Sequence, residues 1–387
     1  MSPHLNPLAT QAQEYPFARL VEIRQRRERE GRKVLDFSVG DPREPTPAFL
    51  REVLKRSIPE VSSYPTVKGS RELRESIAGY LLRRFRLRVD PECHILPVNG
   101  TKEGIFTSQL ALIDPKSTRR TVITFEPSYP VYARGAEYAG GIVHPIALRA
   151  EDMFRPDAAT VPAELLRRTQ IVWLNYPHNP TGAEAAPEIF ERFATLAREH
   201  DFVLCSDECY SDLFFDRPPP SVLVPELAPD FKNLLAFHSC SKRSAMTGYR
   251  SGFIAGDPGL LEVLARFRPS VGVATPSFVQ AMATAAWNDD AHAVEMAARY
   301  RRRRDIFLDL FHRKGWRHDG GNATFFLWWR VPEGFGHSAR FAERLLDLDI
   351  LVAPGSFIGV GGESHVRLAL IATEDECAEA VRRLEHL

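Results

Sequence analysis

Between about residues 69 and 275 short apolar runs alternate with segments of helical periodicity. The runs lie at 95–98, 121–125, 171–174, 202–205, 234–237 and 252–255, and the helical segments at 71–85, 102–112 and 187–199. Nearly continuous apolar strands between helices predict a mostly parallel sheet covered on both faces. After about residue 280 the texture changes. One long helix is predicted at 281–314, then a strand at 324–329, a helix at 338–348, strands at 351–352 and 365–370, and a closing helix. This reads as a smaller α/β domain that also takes in the strand at 34–38. The expected division is an N-terminal arm with part of the small domain (1–45), a large domain (46–280) and a small C-terminal domain (281–387).

In a parallel sheet, ligands bind beyond the carboxyl ends of the strands. The residues that can carry chemistry lie there. Ser239-Cys240-Ser241-Lys242 sets a lysine among small and apolar residues, and Arg250 follows eight positions later. A desolvated lysine is a better nucleophile toward an aldehyde, and a guanidinium grips a phosphate through two parallel hydrogen bonds. An aldehyde and a phosphate on one small molecule suggest pyridoxal 5'-phosphate (PLP). Asp207, at the end of an apolar run, suits a protonated pyridine nitrogen. Tyr210 and Asn179 are candidate donors to the ring oxygen. Gly100, Thr101 and Lys102 open a helix whose N–H groups suit an anion, and Ser239 adds a hydroxyl. Tyr129 is a candidate to stack on the ring. Arg367, among apolar neighbours near the C-terminus, needs an anionic partner, which a substrate carboxylate or an internal acid would supply. Alone, each residue has a plainer reading: a solvated lysine, a turn-capping Asp, a core aromatic.

Composition narrows the classes. The 387 residues are 44% hydrophobic and 26% charged, ordinary for a globular chain. Lys+Arg and Asp+Glu both number 50, so no net field recruits nucleic acid or an anionic membrane. The basic runs at 24–29 and 301–304 read as solvated helix faces. Five cysteines without a CxxC pair argue against a disulfide framework or structural zinc and fit a reducing cytoplasm. The N-terminus carries no signal pattern, no apolar run is long enough to span a bilayer, and the histidines show no metal-binding spacing. The glycine run Gly359-Val360-Gly361-Gly362 lacks the strand-then-helix context of a nucleotide loop and reads as a flexible connection.

Taken jointly, the motifs resemble the fold-type I PLP enzymes of aminotransferase class I/II, over almost the whole chain. The phrases are Gly40-Asp41-Pro42, Tyr64-Pro65 with Gly69, Asn99-Gly100-Thr101-Lys102, Asn179-Pro180-Thr181-Gly182, Asp207-Glu208-Cys209-Tyr210, Ser239-x-Ser241-Lys242, Arg250-x-Gly252 and Pro354-Gly355-Ser356-Phe357. By that resemblance Lys242 bonds to the cofactor aldehyde and then carries the proton between the substrate α-carbon and the cofactor. Arg367 holds the substrate α-carboxylate, with Asn179 and Gly40 also lining the substrate site. Tyr64 reaches the phosphate of a neighbouring subunit, which implies a homodimer with shared active sites.

Within the family the likeness is to the bacterial N-succinyldiaminopimelate aminotransferases. It rests on Leu5-Asn6-Pro7 with Tyr15-Pro16-Phe17, Ser241-Lys242-Arg243-Ser244 and Trp287-Asn288-Asp289-Asp290-Ala291-His292, among others. It implies glutamate as donor and N-succinyl-2-amino-6-oxopimelate as acceptor, in lysine and diaminopimelate synthesis. An aspartate-type or broad-specificity aminotransferase, and a PLP lyase on the same fold, stay open. Arg43, Lys68 and Arg243 are candidates for the distal acidic end of the substrate. Cys240, His178 and Gly321-Asn322-Ala323-Thr324 depart from the family's usual residues, and the last segment is expected beside the substrate entrance.

Overall fold

The computed structural model describes residues 5–10, 16–224, 230–272 and 274–387. Tyr15, part of one motif above, and the first four residues lie outside them. The chain builds two sheets. The strands are β1 (Leu35–Phe37), β2 (Ile95–Val98), β3 (Thr121–Glu126), β4 (Ile142–Ala147), β5 (Thr169–Asn175), β6 (Val203–Asp207), β7 (Leu234–Ser239), β8 (Gly252–Gly256), β9 (Phe326–Arg330), β10 (Ile350–Pro354) and β11 (His365–Ala369).

The large sheet has the order β2-β8-β7-β6-β5-β3-β4. Only β8 runs against its neighbours, so the mostly parallel α/β sheet expected from the apolar runs is the one observed. Strands β6, β7 and β8 are buried at every residue, because helices cover both faces and leave no polar side to alternate. The small sheet has the order β1-β10-β11-β9. It draws β1 from the N-terminal segment, parallel to β10. The two sheets are the ground on which we propose the division at 45 and 280.

The sequence pattern misses some elements. β4 is an edge strand with a largely exposed face and a proline, Pro145, so it lacks the apolar run of a central strand. The long helix expected at 281–314 is two helices, Ser277–Asn288 and Ala291–Lys314. The break lies at Asp289, whose backbone is extended and whose Oδ1 accepts the His292 N–H at 2.9 Å. Asp289 thus ends the previous helix while its side chain satisfies a first-turn N–H of the next. The basic run at 301–304 is not a solvated face throughout. Arg303 is buried, paired with Glu44 and donating to the Leu370 carbonyl at 3.2 Å. In the run at 24–29, Arg24 pairs with the buried Asp36 at 2.9 Å.

Candidate active site

The carboxyl ends of β2, β5, β6 and β7 converge on a cavity of about 370 Å³, closed from the other side by the small sheet. Its wall contains Gly40, Thr101, Lys102, Tyr129, Asn179, Asp207, Tyr210, Ser239, Lys242, Arg250 and Arg367, eleven of the positions singled out from sequence. Gly100 stands behind the wall and Tyr64 lies elsewhere.

Lys242 sits in the one-turn helix Cys240–Arg243, which the Ser239 hydroxyl opens by accepting the Ser241 N–H at 3.0 Å. Its Nζ donates to the Gly40 carbonyl at 2.6 Å. Burial pushes the amine below its ordinary value; the charges of Cys209 and Asp41 oppose that shift, and those of Arg367 and Arg250 add to it. Gly40 has to be glycine because a Cβ there would lie 2.7 Å from the Phe326 ring.

Asp207 is buried at the end of β6. Its Oδ2 accepts the Tyr132 hydroxyl at 2.8 Å and its Oδ1 the Cys209 N–H at 3.2 Å. Burial raises the carboxyl above its usual value, and hydrogen bonds from Tyr132 and Cys209 pull it back. The register of β5 on β6 sets Asn175 beside Asp207. The Asn175 amide donates to the Asp207 carbonyl at 2.8 Å and accepts the Asn179 N–H at 3.0 Å, which fixes the turn that carries Asn179.

At the other end of the cavity the twelve-residue helix Thr101–Leu112 begins at Gly100. Gly100 has a φ of +78°, and a Cβ there would come within 2.5 Å of Arg250 Nη2. The missing side chain is therefore the space the guanidinium occupies. Arg250 Nη1 donates to the Thr247 carbonyl at 2.7 Å.

Arg367, on β11, bridges the two sheets. Nη1 donates to Asn179 Oδ1 at 3.0 Å and Nη2 to the Ser38 carbonyl at 2.8 Å. Its guanidinium lies over the rings of Phe17 and Phe326, at 4.9 and 4.4 Å. Tyr132, Ser38 and Phe326 were not singled out from sequence, and Phe17 stood there only as part of the Tyr15-Pro16-Phe17 phrase. Tyr132 and Asn175 read as core aromatic and strand end, and only the fold brings them to Asp207.

Other expectations change. Arg43 pairs with Asp36 at 2.9 Å and Lys68 with Glu262 at 3.1 Å, while Arg243 is buried against Asp212; none of the three lines the cavity. Gly321–Thr324 does not line it either. The segment packs on the Asn179–Gly182 turn, with Gly321 N–H donating to the Thr181 carbonyl at 3.0 Å. His178 is a buried packing residue, its pKa lowered by burial to about 3 and its Nδ1 2.8 Å from Thr181 Oγ1. Cys240 is buried too. In the glycine run, Val360 N–H donates to Glu126 Oε2 at 3.0 Å, which seats the run on the rim of the site.

Comparison with known proteins decides the family. The profile for aminotransferase class I and II matches residues 32–384. The chain belongs to that family. An LL-diaminopimelate aminotransferase of Desulforudis audaxviator is 37% identical over 375 residues, covering 96% of this chain and 94% of that protein. An aminotransferase structure from Neisseria meningitidis superposes with a TM-score of 0.91 at 31% identity, over 99% of this chain and 100% of that one. A probable N-succinyldiaminopimelate aminotransferase from Thermus thermophilus gives 0.87 at 28% identity, over 96% and 99%. This aminotransferase is thus a PLP-dependent transaminase. The cavity suits that cofactor in three respects: a lysine amine pushed toward its neutral form, a buried carboxylate, and a helix N-terminus flanked by a guanidinium that a side chain at Gly100 would displace. Among the described residues no helix is long and apolar enough to cross a membrane.

Proposed function

We propose that this transaminase moves the amino group of glutamate to a keto acceptor of the diaminopimelate series, N-succinyl-2-amino-6-oxopimelate. Bound PLP supplies an aldehyde and a ring that draws electrons from the substrate α-carbon. The protein does the rest. Lys242 would be the group that holds that aldehyde and carries the α-proton. Asp207, supported by Tyr132 and Asn175, would serve the ring nitrogen. Asn179 and Tyr210 would donate to the ring oxygen, and Tyr129 would cover the ring. Gly100, Thr101, Lys102, Ser239 and Arg250 would hold the phosphate. Arg367 would take the α-carboxylate, next to Gly40 and Asn179.

The observation that favours a long acidic acceptor is a second chamber of about 1260 Å³, which shares Lys102, Ser128, Pro130, Arg250 and Ile358 with the inner cavity. Arg19 lines this outer chamber, is exposed, and has no ion-pair partner among the described residues. We assign it to the distal carboxylate that Arg43, Lys68 and Arg243 do not reach. Unacylated LL-diaminopimelate is the second reading, favoured by the name of the Desulforudis relative. Assaying both diamino acids as donors to 2-oxoglutarate, alongside aspartate, separates the readings. Efficient turnover of N-succinyl-LL-diaminopimelate alone is expected, and preference for either of the others would overturn the assignment. Arg19→Ala is expected to raise KM for the succinylated substrate about fivefold, as suits an exposed ion pair, and to leave KM for the shorter glutamate unchanged.

We also propose a homodimer in which Tyr64 reaches the neighbouring subunit's phosphate. Tyr64 is wholly exposed, with Val61 and Ile58 exposed nearby in the chain, an apolar stretch that association would cover. Sedimentation as a monomer would rule this out.

A further inference from the structure

Two sequence phrases that the chemistry leaves unused, Arg243-Ser244 and Trp287 through His292, meet in space. Arg243 follows Lys242 directly and is 3% exposed. Its Nε donates to Asp212 Oδ2 at 2.6 Å, and Nη1 to the Ala286 carbonyl at 2.6 Å. Nη2 reaches the Asp289 carbonyl at 3.3 Å and Asp290 Oδ1 at 3.4 Å. The guanidinium lies over the rings of Tyr80 and Trp287, at 5.0 and 4.8 Å. Asp212 is gripped on its other oxygen by Arg84 Nε at 3.1 Å. The next residue, Ser244, is fully buried and pairs with His292 Nε2 at 2.8 Å, while His292 Nδ1 faces Asp289 Oδ1 at 2.6 Å. This Asp–His–Ser chain has the connectivity of a hydrolase triad. Ser244 is sealed from solvent, so its role here is mechanical.

We propose that Arg243 and Ser244, held by Asp212 and by the Asp289–His292 loop, are positioning residues for Lys242. The inference rests on Lys242 being the reactive lysine. A four-residue helix has no stability of its own, since one turn barely completes its nucleus. Its orientation has to come from tertiary contacts, and these two side chains supply them on the face away from the cavity. A lysine that must meet first an aldehyde and then an α-proton gains rate from such fixing, because small displacements of a reacting group are costly. The loop also opens the helix Ala291–Lys314, whose buried face belongs to the core of the small sheet. The clamp therefore ties the seat of Lys242 to the element that supports Arg367's sheet.

The test uses Arg243→Lys, which keeps the charge, together with Ser244→Ala and His292→Gln, which remove only the second contact. In the holoenzyme, kcat of the half-reaction with glutamate is expected to fall about tenfold in the last two variants with KM within about twofold. Arg243→Lys is expected to keep more activity than Arg243→Gln. In the cofactor-free protein, acetylation of Lys242 by dilute acetic anhydride, followed by peptide mass spectrometry, reads the seat directly. Its pH midpoint is expected to move up toward that of surface lysines as the loosened turn admits water. Unchanged kcat and an unchanged midpoint in all four variants would overturn the proposal, whatever happens to melting temperature. Should Lys242→Ala keep its turnover, the lysine assignment itself fails instead, so the two failures are distinguishable.

Discussion

Lys242→Ala is expected to reduce transamination by at least about four orders of magnitude, because it removes both a covalent anchor and a proton carrier, the latter alone worth ~10²–10⁴. The fold should survive. Among the described residues the amine donates to the Gly40 carbonyl at 2.6 Å and lies 5.6 Å from the Phe325 ring, and a hydrogen bond from a charged group contributes about 1.5–3 kcal/mol. Burial already lowers the amine's pKa below its ordinary value, so removing it takes away a charge that the folded chain accommodates poorly. Borohydride reduction of the parent enzyme should leave a phosphopyridoxyl group on the peptide containing Lys242, and the variant's peptide should carry none. Turnover within a hundredfold of the parent would refute the role.

Asp207→Asn is expected to separate rate from stability. The amide keeps an oxygen for the Tyr132 hydroxyl, which now donates to Asp207 Oδ2 at 2.8 Å, but it cannot hold a proton on a ring nitrogen. Loss of one partner from a buried charged pair costs about 2–5 kcal/mol, so kcat should fall by roughly two to three orders of magnitude. Stability should move the other way. Burial raises the Asp207 carboxyl above its ordinary 3.8, so in the cofactor-free protein its ionised form is disfavoured relative to the unfolded chain. That disfavour sets in as pH rises through 3.8 and is complete above the raised folded value. At neutral pH the cofactor-free variant should therefore melt no lower than the parent. A clear loss of melting temperature together with normal kcat would show that Asp207 is only structural.

Much of the architecture is legible in the chain because central strands announce themselves. The runs that became β5, β6 and β7 are apolar and end in Asn175, Asp207 and Ser239, polar residues at the one edge where a ligand can lie. The edge strand β4 escapes notice because His144 and Pro145 suit solvent and a missing ladder bond. The helix break at Asp289 is hidden by flanking helical periodicity. In the site, residues that act through their own chemistry could be singled out. Residues that act through placement could not. Tyr132 reads like any core tyrosine until the register of the sheet puts Asp207 within 2.8 Å. The cations meant for the distal carboxylate failed for a related reason: proximity in sequence cannot show that Arg43 and Lys68 are already engaged by Asp36 and Glu262.

The bridge made by Arg367 has one more consequence. Its two terminal nitrogens are already oriented by Asn179 and the Ser38 backbone before anything enters. An arginine side chain carries about 2 kcal/mol of rotamer entropy, and here that freedom is surrendered when the chain folds. On the proposed role of Arg367, an arriving carboxylate would meet an oriented guanidinium, and affinity for even a short carboxylic acid would be high for its size.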